Sequence, residues 1–523
     1  MSGRDPDDGL LRRVSRAMFW NASMLPAIMA VNLAAAVTIR RGFGLDSGVY
    51  DVALGVVNTL LAHSGLGVPA TMGQFIPGLE RSGGRVAVAR FLRSVLALRL
   101  ALMIVAVVVL NLFAGALADR LHLGANGLWL LRTVSVLALM RAGSDLAVRT
   151  LQALLAHLLA NAVQLVQAAL VLGIVTWTLS RGASMDALFT SLSAASVAVA
   201  IGSLWVLRRQ LRALPAQPEG PGTPAGVSWA RFWRFALFMY VFDVSHYFTT
   251  PAFASPALSV AADGPAVVAL FNVAFQLPMM VVVVILAGLQ GLYRPLFARV
   301  MAEGAPERVR TAFSEISKVQ AALIIPSGVG LALLLPDYVP LLFTDRFADA
   351  VPLAQILCAF LFFETLFNLG NILLSVDHRY AIVLVAHALK IMAAPLFVWL
   401  AVRGELLLAT TAFGAGRVLA SGLGHLAARR LYGVRFPVAF TARVCLPTLL
   451  MAIVVGGGRL LLPSSWAATV LLTGLGAALT ILGARWFAVL GPREVDVLRR
   501  AALPGGATLL RWLSPSRTPS VSS

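Results

Sequence analysis

Long uninterrupted apolar stretches fill this chain, and short polar segments separate them. Each stretch has the roughly 20 residues that a helix needs to cross about 30 Å of hydrocarbon. The pattern therefore predicts an all-α polytopic membrane protein with about 14 transmembrane helices. The predicted spans are 18–39, 48–74, 95–118, 126–147, 156–179, 187–207, 230–254, 266–291, 317–336, 350–375, 381–402, 406–427, 438–462 and 467–490.

Composition supports a membrane protein. Of the 523 residues, 59% are hydrophobic and only 12% are charged, and the mean hydropathy is +0.85. A soluble chain carries about 25% charged residues. The net charge of +19 comes almost entirely from arginine, since Lys318 and Lys390 are the only lysines. These arginines lie in short loops between apolar stretches, so we expect no nucleic-acid partner.

The distribution of basic residues predicts the orientation in the membrane. With both termini placed in the cytoplasm, the cytoplasmic segments carry 27 arginines and lysines, and the opposite loops carry 6. Cytoplasmic loops of membrane proteins have this excess of positive charge. The sequence thus predicts a multi-pass protein of the cytoplasmic (inner) membrane with both termini inside. The first apolar stretch is too long for a cleaved signal and is interpreted as an uncleaved span.

An internal echo indicates a duplicated chain. The segment VSRAMFW at 14–20 returns as VSWARFW at 227–233, with five of seven residues identical, and each copy precedes six predicted spans. Duplicated halves are common in membrane transporters, although so short a match also arises by chance. Between the copies, prolines recur at every third position from Pro215 to Pro224. This period matches polyproline II and predicts a semi-rigid spacer, or else an ordinary surface loop.

The repeat and the span count together predict the domain organisation. The predicted parts are an N-terminal six-helix bundle at 1–212, a proline-rich cytoplasmic linker at 213–226, a C-terminal six-helix bundle at 227–437, two additional transmembrane helices at 438–490 and a cytoplasmic tail at 491–523.

Three segments of the chain are similar to parts of a known family of membrane proteins. The stretch GLQGLYRPLFARVMAEG at 288–304 is similar to the end of a span that runs into a cytoplasmic helix. The stretch LPDYVPLLFTDRFADAVPLAQIL at 335–357 resembles an outer turn of that family. The stretch GFGLDSGVYDVALGVVNTLLAHSGLGVPATMGQFIP at 42–77 resembles its first turn and second span. On these segments the chain resembles polysaccharide (O-antigen type) flippases of the multidrug/oligosaccharidyl-lipid/polysaccharide exporter superfamily, and the resemblance extends over about 14–490.

The resemblance implies two six-helix bundles that form a V around a central cavity. It also implies alternating access that moves an undecaprenyl-diphosphate-linked oligosaccharide from the inner to the outer leaflet for surface polysaccharide synthesis. The implied partners are this lipid-linked substrate, membrane lipids, and a polysaccharide polymerase and glycosyltransferases.

Enzyme and cofactor motifs are absent from the sequence. It contains no phosphate-binding loop ending in Lys-Ser or Lys-Thr, no His-Glu-x-x-His and no paired cysteine ligands. We therefore expect a transporter without catalytic residues, cofactor or metal. The informative residues are ionisable ones inside spans, since their cost in hydrocarbon makes them functional candidates.

Lys390, Arg417 and Glu364 each lie near the centre of a predicted span, and His387 precedes Lys390 on the same helix face. A diphosphate headgroup needs fixed cations, which lysine and arginine supply. Lys390 and Arg417 are therefore predicted to contact the headgroup, with Glu364 as their counter-ion when substrate is absent. The alternative is an ion pair that only ties three helices together.

Asp243 and His246 form a second candidate pair, for ion coupling or, as we favour, for a hydrogen-bonded polar cluster. Arg141, Asp145 and Arg149 recur at i, i+4 and i+8, where Asp145 can bridge both arginines. Arg141 is predicted as an entrance contact for anionic headgroups, although a solvated helix end is the simpler interpretation. Arg99 is interpreted in the same way, as a solvated helix end.

Three other functions remain open. A lipid II flippase is one alternative, but that family carries arginines in the first and eighth spans, and none lies in 266–291. A multidrug or small-molecule antiporter is another, but the acidic residue that those proteins use in the first span is missing from 18–39. A non-transporting scaffold is a third, and the charges at mid-membrane argue against it.

Overall fold

A computed structural model describes residues 6–216, 227–262, 264–487 and 489, and in these ranges every regular element is helical. The first nine helices are α1 Pro6–Phe43, α2 Ser47–Ser64, α3 Val68–Leu112, α4 Ala114–Arg120, α5 Gly127–Ala153, α6 His157–Ser180, α7 Met185–Arg212, α8 Trp229–Tyr247 and α9 Pro251–Ala261. The others are α10 Pro265–Ala302, α11 Pro306–Phe343, α12 Ala350–Phe367, α13 Leu369–Val376, α14 Tyr380–Val402, α15 Leu406–Tyr432, α16 Val438–Leu461 and α17 Trp466–Trp486.

The predicted fold class is confirmed: the chain is an all-α multi-pass membrane protein. Among the described residues, 11 helical stretches are long and apolar enough to cross a membrane. One of them, Ser23–Ser64, overlaps both the first and the second predicted span. The fourth predicted span corresponds to α5 and the seventh to α8 with α9, which fall outside the 11.

Several predicted spans are interrupted helices. The second span breaks between α2 and α3 at Gly65–Gly67, where Gly67 has a φ of 71°. The seventh breaks between α8 and α9, and the tenth breaks at Asn368 between α12 and α13. A further kink inside α3 lies at Gly84, whose φ is 55°. Interrupted helices free backbone polar groups, which a membrane tolerates only where protein or water satisfies them.

Two compact units make up the fold. The first contains Met1–Asn272 together with Ala401–Gly404. In it, α5 packs against both α3 and α7, α1 packs against α6, and α2 packs against α9. A buried aromatic and aliphatic cluster, which includes Met72, Phe91 and Phe232, fastens α8 to α3.

The second unit contains Val273–Leu400 and the chain from Glu405 onward. Here α12 packs against α15, and α11 packs against α12 and α16. The final helices are held to α11 by polar contacts as well as by apolar packing. Arg459 Nε donates to Asp337 Oδ2 at 2.8 Å, and Tyr338 Oη lies 2.7 Å from Thr473 Oγ1.

The compact units do not coincide with the predicted repeat halves, because α8, α9 and the start of α10 belong to the first unit. The division into compact units reflects contacts between residues and does not reflect duplication of the sequence, so the repeat boundaries stay a prediction. The second copy of the echo contains the start of α8, where the Ser228 side chain caps the helix. Linker residues 217–226 and the tail 491–523 lie outside the described residues.

Candidate functional site

Three ionisable side chains meet inside the second unit. Glu364 lies in the last turn of α12, and it accepts a hydrogen bond from Lys390 Nζ of α14 at 3.2 Å. Its other carboxylate oxygen accepts one from Arg417 Nε of α15 at 2.5 Å. The three residues are 8%, 3% and 4% exposed, respectively. We call Glu364, Lys390 and Arg417 the charged triad.

The charged triad is enclosed, and its charges do not balance. Two cations face one carboxylate, which leaves one formal positive charge. The Arg417 guanidinium also lies 5.8 Å from the ring centroid of Phe275, which offers it the electron-rich face of an aromatic ring. His387, one turn before Lys390, is 4% exposed. Desolvating such charges costs several kcal/mol per ion in real proteins, which only good geometry offsets.

The register between α12–α13 and α15 positions the triad. Asn371 follows Glu364 by seven residues, and Gly424 follows Arg417 by seven, which is two helical turns on each helix. Asn371 packs so closely on Gly424 that a Cβ there would lie 1.8 Å from the amide oxygen. The two helices therefore run in parallel, with a glycine contact at one level and the ion pair at the other. Small residues allow this approach in membranes, where the hydrophobic effect does not drive helix packing.

On α5, Asp145 does not pair with both of the arginines that the sequence predicted. Asp145 pairs with Arg149 at 3.2 Å and with Arg99 of α3 at 3.0 Å, whereas Arg141 was predicted to be bridged. Arg141 instead lies near Tyr50, and its Nε is buried without a hydrogen-bond partner among the described residues. Arg141 belongs to the first unit and the charged triad to the second.

The interpretation of Arg99 as a solvated helix end is wrong. Its side chain is 1% exposed, because α3 packs along α5 at this level and the Ala142 carbonyl accepts a bond from Arg99 Nε at 3.1 Å. The error has a physical cause. Position within a span was judged from one helix alone, while burial depends on the neighbouring helix.

Asp243 and His246 on α8 differ in environment. His246 is exposed and Asp243 is half-buried. The charges that act on Asp243 belong to Arg149, Asp145 and Arg99, so Asp243 lies beside the ion-pair cluster of the first unit. The tyrosines on the same helix face α2. Tyr240 Oη lies 3.2 Å from His63 Nδ1, and Tyr247 Oη lies 2.9 Å from Thr59 Oγ1.

One buried pair was not predicted at all. Arg40 at the end of α1 and Asp51 at the start of α2 lie 2.7 Å apart, with side chains 3% and 9% exposed. Arg40 falls just past the predicted span 18–39, which places it in a loop in the sequence-based prediction. The available signal was two opposite charges on either side of the short turn Gly44–Asp46. Within the described ranges, no group of three or more His, Cys, Asp or Glu side chains could hold a metal ion.

Comparisons with known proteins find relatives by structure and not by sequence. No protein-family profile matches the chain, and no curated protein matches it by sequence. Among solved structures, it is similar to the lipid II flippase MurJ in an inward closed conformation, with a TM-score of 0.70 and 12% identity over 90% of this chain and 98% of that one.

Two further structures are similar over 80% of this chain. A multidrug resistance MATE family transporter in an inward-facing conformation has a TM-score of 0.59 at 16% identity and is covered over 98% of its length. A transporter of the MOP superfamily from Pyrococcus furiosus has a TM-score of 0.55 at 15% identity and is covered over 95%. The chain thus has the fold of the MOP superfamily, which is the multidrug/oligosaccharidyl-lipid/polysaccharide exporter superfamily.

The close contact beside the triad generates one prediction. A Cβ on Gly370 of α13 would lie 2.6 Å from the His425 Cα, a backbone atom that cannot rotate away. Gly370→Ala should therefore separate α13 from α15 and destabilise the protein by about 1–3 kcal/mol, the usual cost of overpacking. The measurement is equilibrium unfolding in mixed detergent micelles. Gly422→Ala is the control, since nothing lies within 4 Å of its Cβ; an equal loss in both variants would contradict the packing argument.

The charged triad generates a second prediction. Glu364→Ala leaves two enclosed cations without their carboxylate, and should lower the free energy of unfolding by about 3–5 kcal/mol. Replacing all three, as Glu364→Leu, Lys390→Met and Arg417→Met, should be nearly neutral, because apolar packing substitutes for a complete buried ion network. The same unfolding assay measures both.

The control for the second prediction is Glu307→Gln. It breaks an exposed pair with Arg310 and should change stability by about 1 kcal/mol or less. A Glu364→Ala variant no less stable than this control would show that the triad charges are solvated.

Proposed function

We propose that this protein is a flippase that moves an undecaprenyl-diphosphate-linked oligosaccharide from the inner to the outer leaflet of the cytoplasmic membrane by alternating access, for surface polysaccharide synthesis. The observation that carries the proposal is the charged triad. An enclosed site with two cations and one carboxylate has spare positive charge in the low-dielectric part of a membrane protein. A diphosphate is the complementary charge.

In this proposal the Glu364 carboxylate pairs with the two cations until the diphosphate of the substrate replaces it. While the site is empty, the carboxylate neutralises one of the two cations and accepts hydrogen bonds from both. A diphosphate offers more acceptor oxygens and more negative charge, and arginine binds it through two parallel bonds. Lys390 and Arg417 would exchange the carboxylate for the headgroup. Asn368, which interrupts the helix four residues after Glu364, gives α12 and α13 a place to adjust.

The other predicted residues enter as secondary contacts. Arg141 would meet the headgroup at the entrance, consistent with its unsatisfied Nε. Asp243 would couple transport to an ion, since it lies beside the Arg99–Asp145–Arg149 cluster whose balance a proton or cation would change. His246 and His387 would act with Asp243 as counter-ions or in ion coupling. A polymerase and glycosyltransferases are proposed as partners, and both termini as cytoplasmic.

A lipid II flippase is the second candidate, and one observation favours it. The similarity to MurJ extends over 90% of this chain, against 80% for the MATE transporter, so it leaves less of the chain unmatched. Both substrates present a polyprenyl diphosphate, and the triad would serve either. The antiporter alternative is less favoured, since α1 has no acidic residue over 18–39.

Export in cells tests the triad. Lys390→Ala and Arg417→Ala, made singly, should each abolish surface polysaccharide in a deletion strain, with protein still present in the membrane. The triple apolar variant separates function from structure. It should fold and yet export nothing, because no cation remains for the diphosphate.

The matched control for export is Asp337→Asn with Arg459→Gln, which removes another ion pair of the same unit. This variant should export normally. Normal export by the triple apolar variant would make the triad structural and would refute the proposed role.

Reconstitution identifies the substrate. Purified protein in liposomes should translocate a fluorescent undecaprenyl-diphosphate oligosaccharide, measured as exposure of the glycan to an external enzyme. Lipid II and a cationic drug are run in parallel. Faster movement of lipid II would replace the first candidate by the second, and movement of the drug alone would exclude both flippase functions.

A further inference from the structure

An apolar groove opens on the first unit between α3 and α7, with α5 as its floor. Its volume is about 580 Å³, within the roughly 300–1,000 Å³ typical of ligand sites. The walls and floor carry leucines from all three helices. These are Leu92 and Leu96 of α3, Leu146 of α5, and Leu204, Leu207 and Leu211 of α7.

Four arginines line the same groove, and none of its lining residues among those the structure describes is acidic. Arg85 and Arg93 come from α3, and Arg208 and Arg212 come from α7. Arg93, Arg208 and Arg212 are exposed, and Arg85 is half-buried. In the part of the chain that the structure describes, their hydrogen bonds reach backbone carbonyls only, and none of the four forms an ion pair. The groove therefore combines an apolar bed with unneutralised positive charge.

The residues beside the groove are of the kind found at the depth of lipid headgroups. Trp205 of α7 is 60% exposed, and the Arg209 guanidinium lies 5.9 Å from its ring centroid. Exposed tryptophans mark the membrane–water interface. The distribution of basic residues predicts that this end of α3 and α7 faces the cytoplasm, where anionic lipids give the leaflet its negative potential. Basic pockets between transmembrane helices on that side bind anionic headgroups.

We propose that this groove is a binding site for an anionic diacyl phospholipid of the cytoplasmic leaflet. The phosphate would lie among Arg85, Arg93, Arg208 and Arg212, and an acyl chain would follow the leucines toward the bilayer centre. A soluble phosphate compound would leave that apolar bed exposed, so the bed argues for a lipid. The site lies in the first unit, and it does not depend on which substrate the protein transports.

Binding at this site has a structural consequence for the linker. Arg85 N donates to the Pro215 carbonyl at 3.0 Å, next to the kink at Gly84, and Arg85 Nη1 reaches the Arg212 carbonyl at 3.5 Å. One headgroup would thus touch the residues that hold the first part of the linker against α3. The negative charge of the bound lipid would lessen the repulsion among the four arginines gathered there and stabilise this attachment.

Lipid binding can be measured directly on the purified full-length protein. Native mass spectrometry in detergent is run with phosphatidylglycerol and with phosphatidylcholine as probes. The wild-type protein should retain phosphatidylglycerol in preference to phosphatidylcholine. Arg93→Gln with Arg208→Gln should weaken retention of phosphatidylglycerol by about tenfold or more, because two of the cations that face the phosphate are lost.

The control removes the same amount of positive charge at positions outside the groove. Arg81 and Arg90 lie on the same helix, are exposed and do not line the groove. Arg81→Gln with Arg90→Gln should leave retention unchanged. An equal loss of phosphatidylglycerol retention in both double variants would show that surface charge alone explains the effect, and it would overturn the proposed site.

Two further outcomes would overturn the proposal. Equal retention of both lipids by the wild-type protein would remove the role of the anionic headgroup. Displacement of phosphatidylglycerol by an equal concentration of undecaprenyl diphosphate would assign the groove to the transported lipid. Filling the groove by Ala89→Leu, which keeps every charge, should lower retention, and its failure to do so would remove the acyl chain from the groove.

Discussion

The second unit depends on a single carboxylate. Glu364 joins α12 to α14 through Lys390 and to α15 through Arg417, with all three side chains closed off from solvent. In hydrocarbon each of these charges alone would be strongly unfavourable. Together they are tolerable only because their atoms are in hydrogen-bonding contact. The position of three helices is therefore tied to one ionic arrangement, and a molecule that competes for the two cations acts on all three helices at once.

The packing around the carboxylate makes this arrangement possible. In a membrane, lipid tails are as apolar as leucine, so close contact between helices relies on small residues and polar bonds. Gly424 on α15 provides such a contact with Asn371, two turns along from the Arg417–Glu364 pair. The sequence spacing is seven residues on both helices, which keeps the glycine contact and the ion pair on matching faces. The interruption at Asn368 lies between these two levels.

Much of the fold could be predicted from the sequence, because span length and hydropathy are properties of single helices. The interruptions at Gly65–Gly67 and Asn368 were missed, although Gly65, Gly67 and Asn368 are local breaker or polar residues, because the surrounding apolar residues are numerous enough to count as one span. One ion pair between side chains of different helices was also missed. Asp145 was correctly seen as a bridge, but Arg99 takes the place expected for Arg141, because the partner depends on which helix packs on α5. Glu364, Lys390 and Arg417 were singled out by their depth and predicted to pair, and the structure brings the three side chains together.

The charged triad and the Arg99–Asp145–Arg149 cluster differ in their exposure to solvent, and this difference bears on function. In the first unit the Arg99–Asp145–Arg149 cluster reaches solvent, where Arg149 is 50% and Asp145 is 36% exposed. Water and salt screen such charges, so they cost little. The charged triad is not screened by solvent in this way. Well-packed apolar residues in its place would give comparable stability without its desolvation cost. Stability alone therefore gives no reason for two enclosed cations around one carboxylate. The proposed exchange of that carboxylate for a diphosphate would give one, since the excess positive charge of the triad would then be matched by the more highly charged anion.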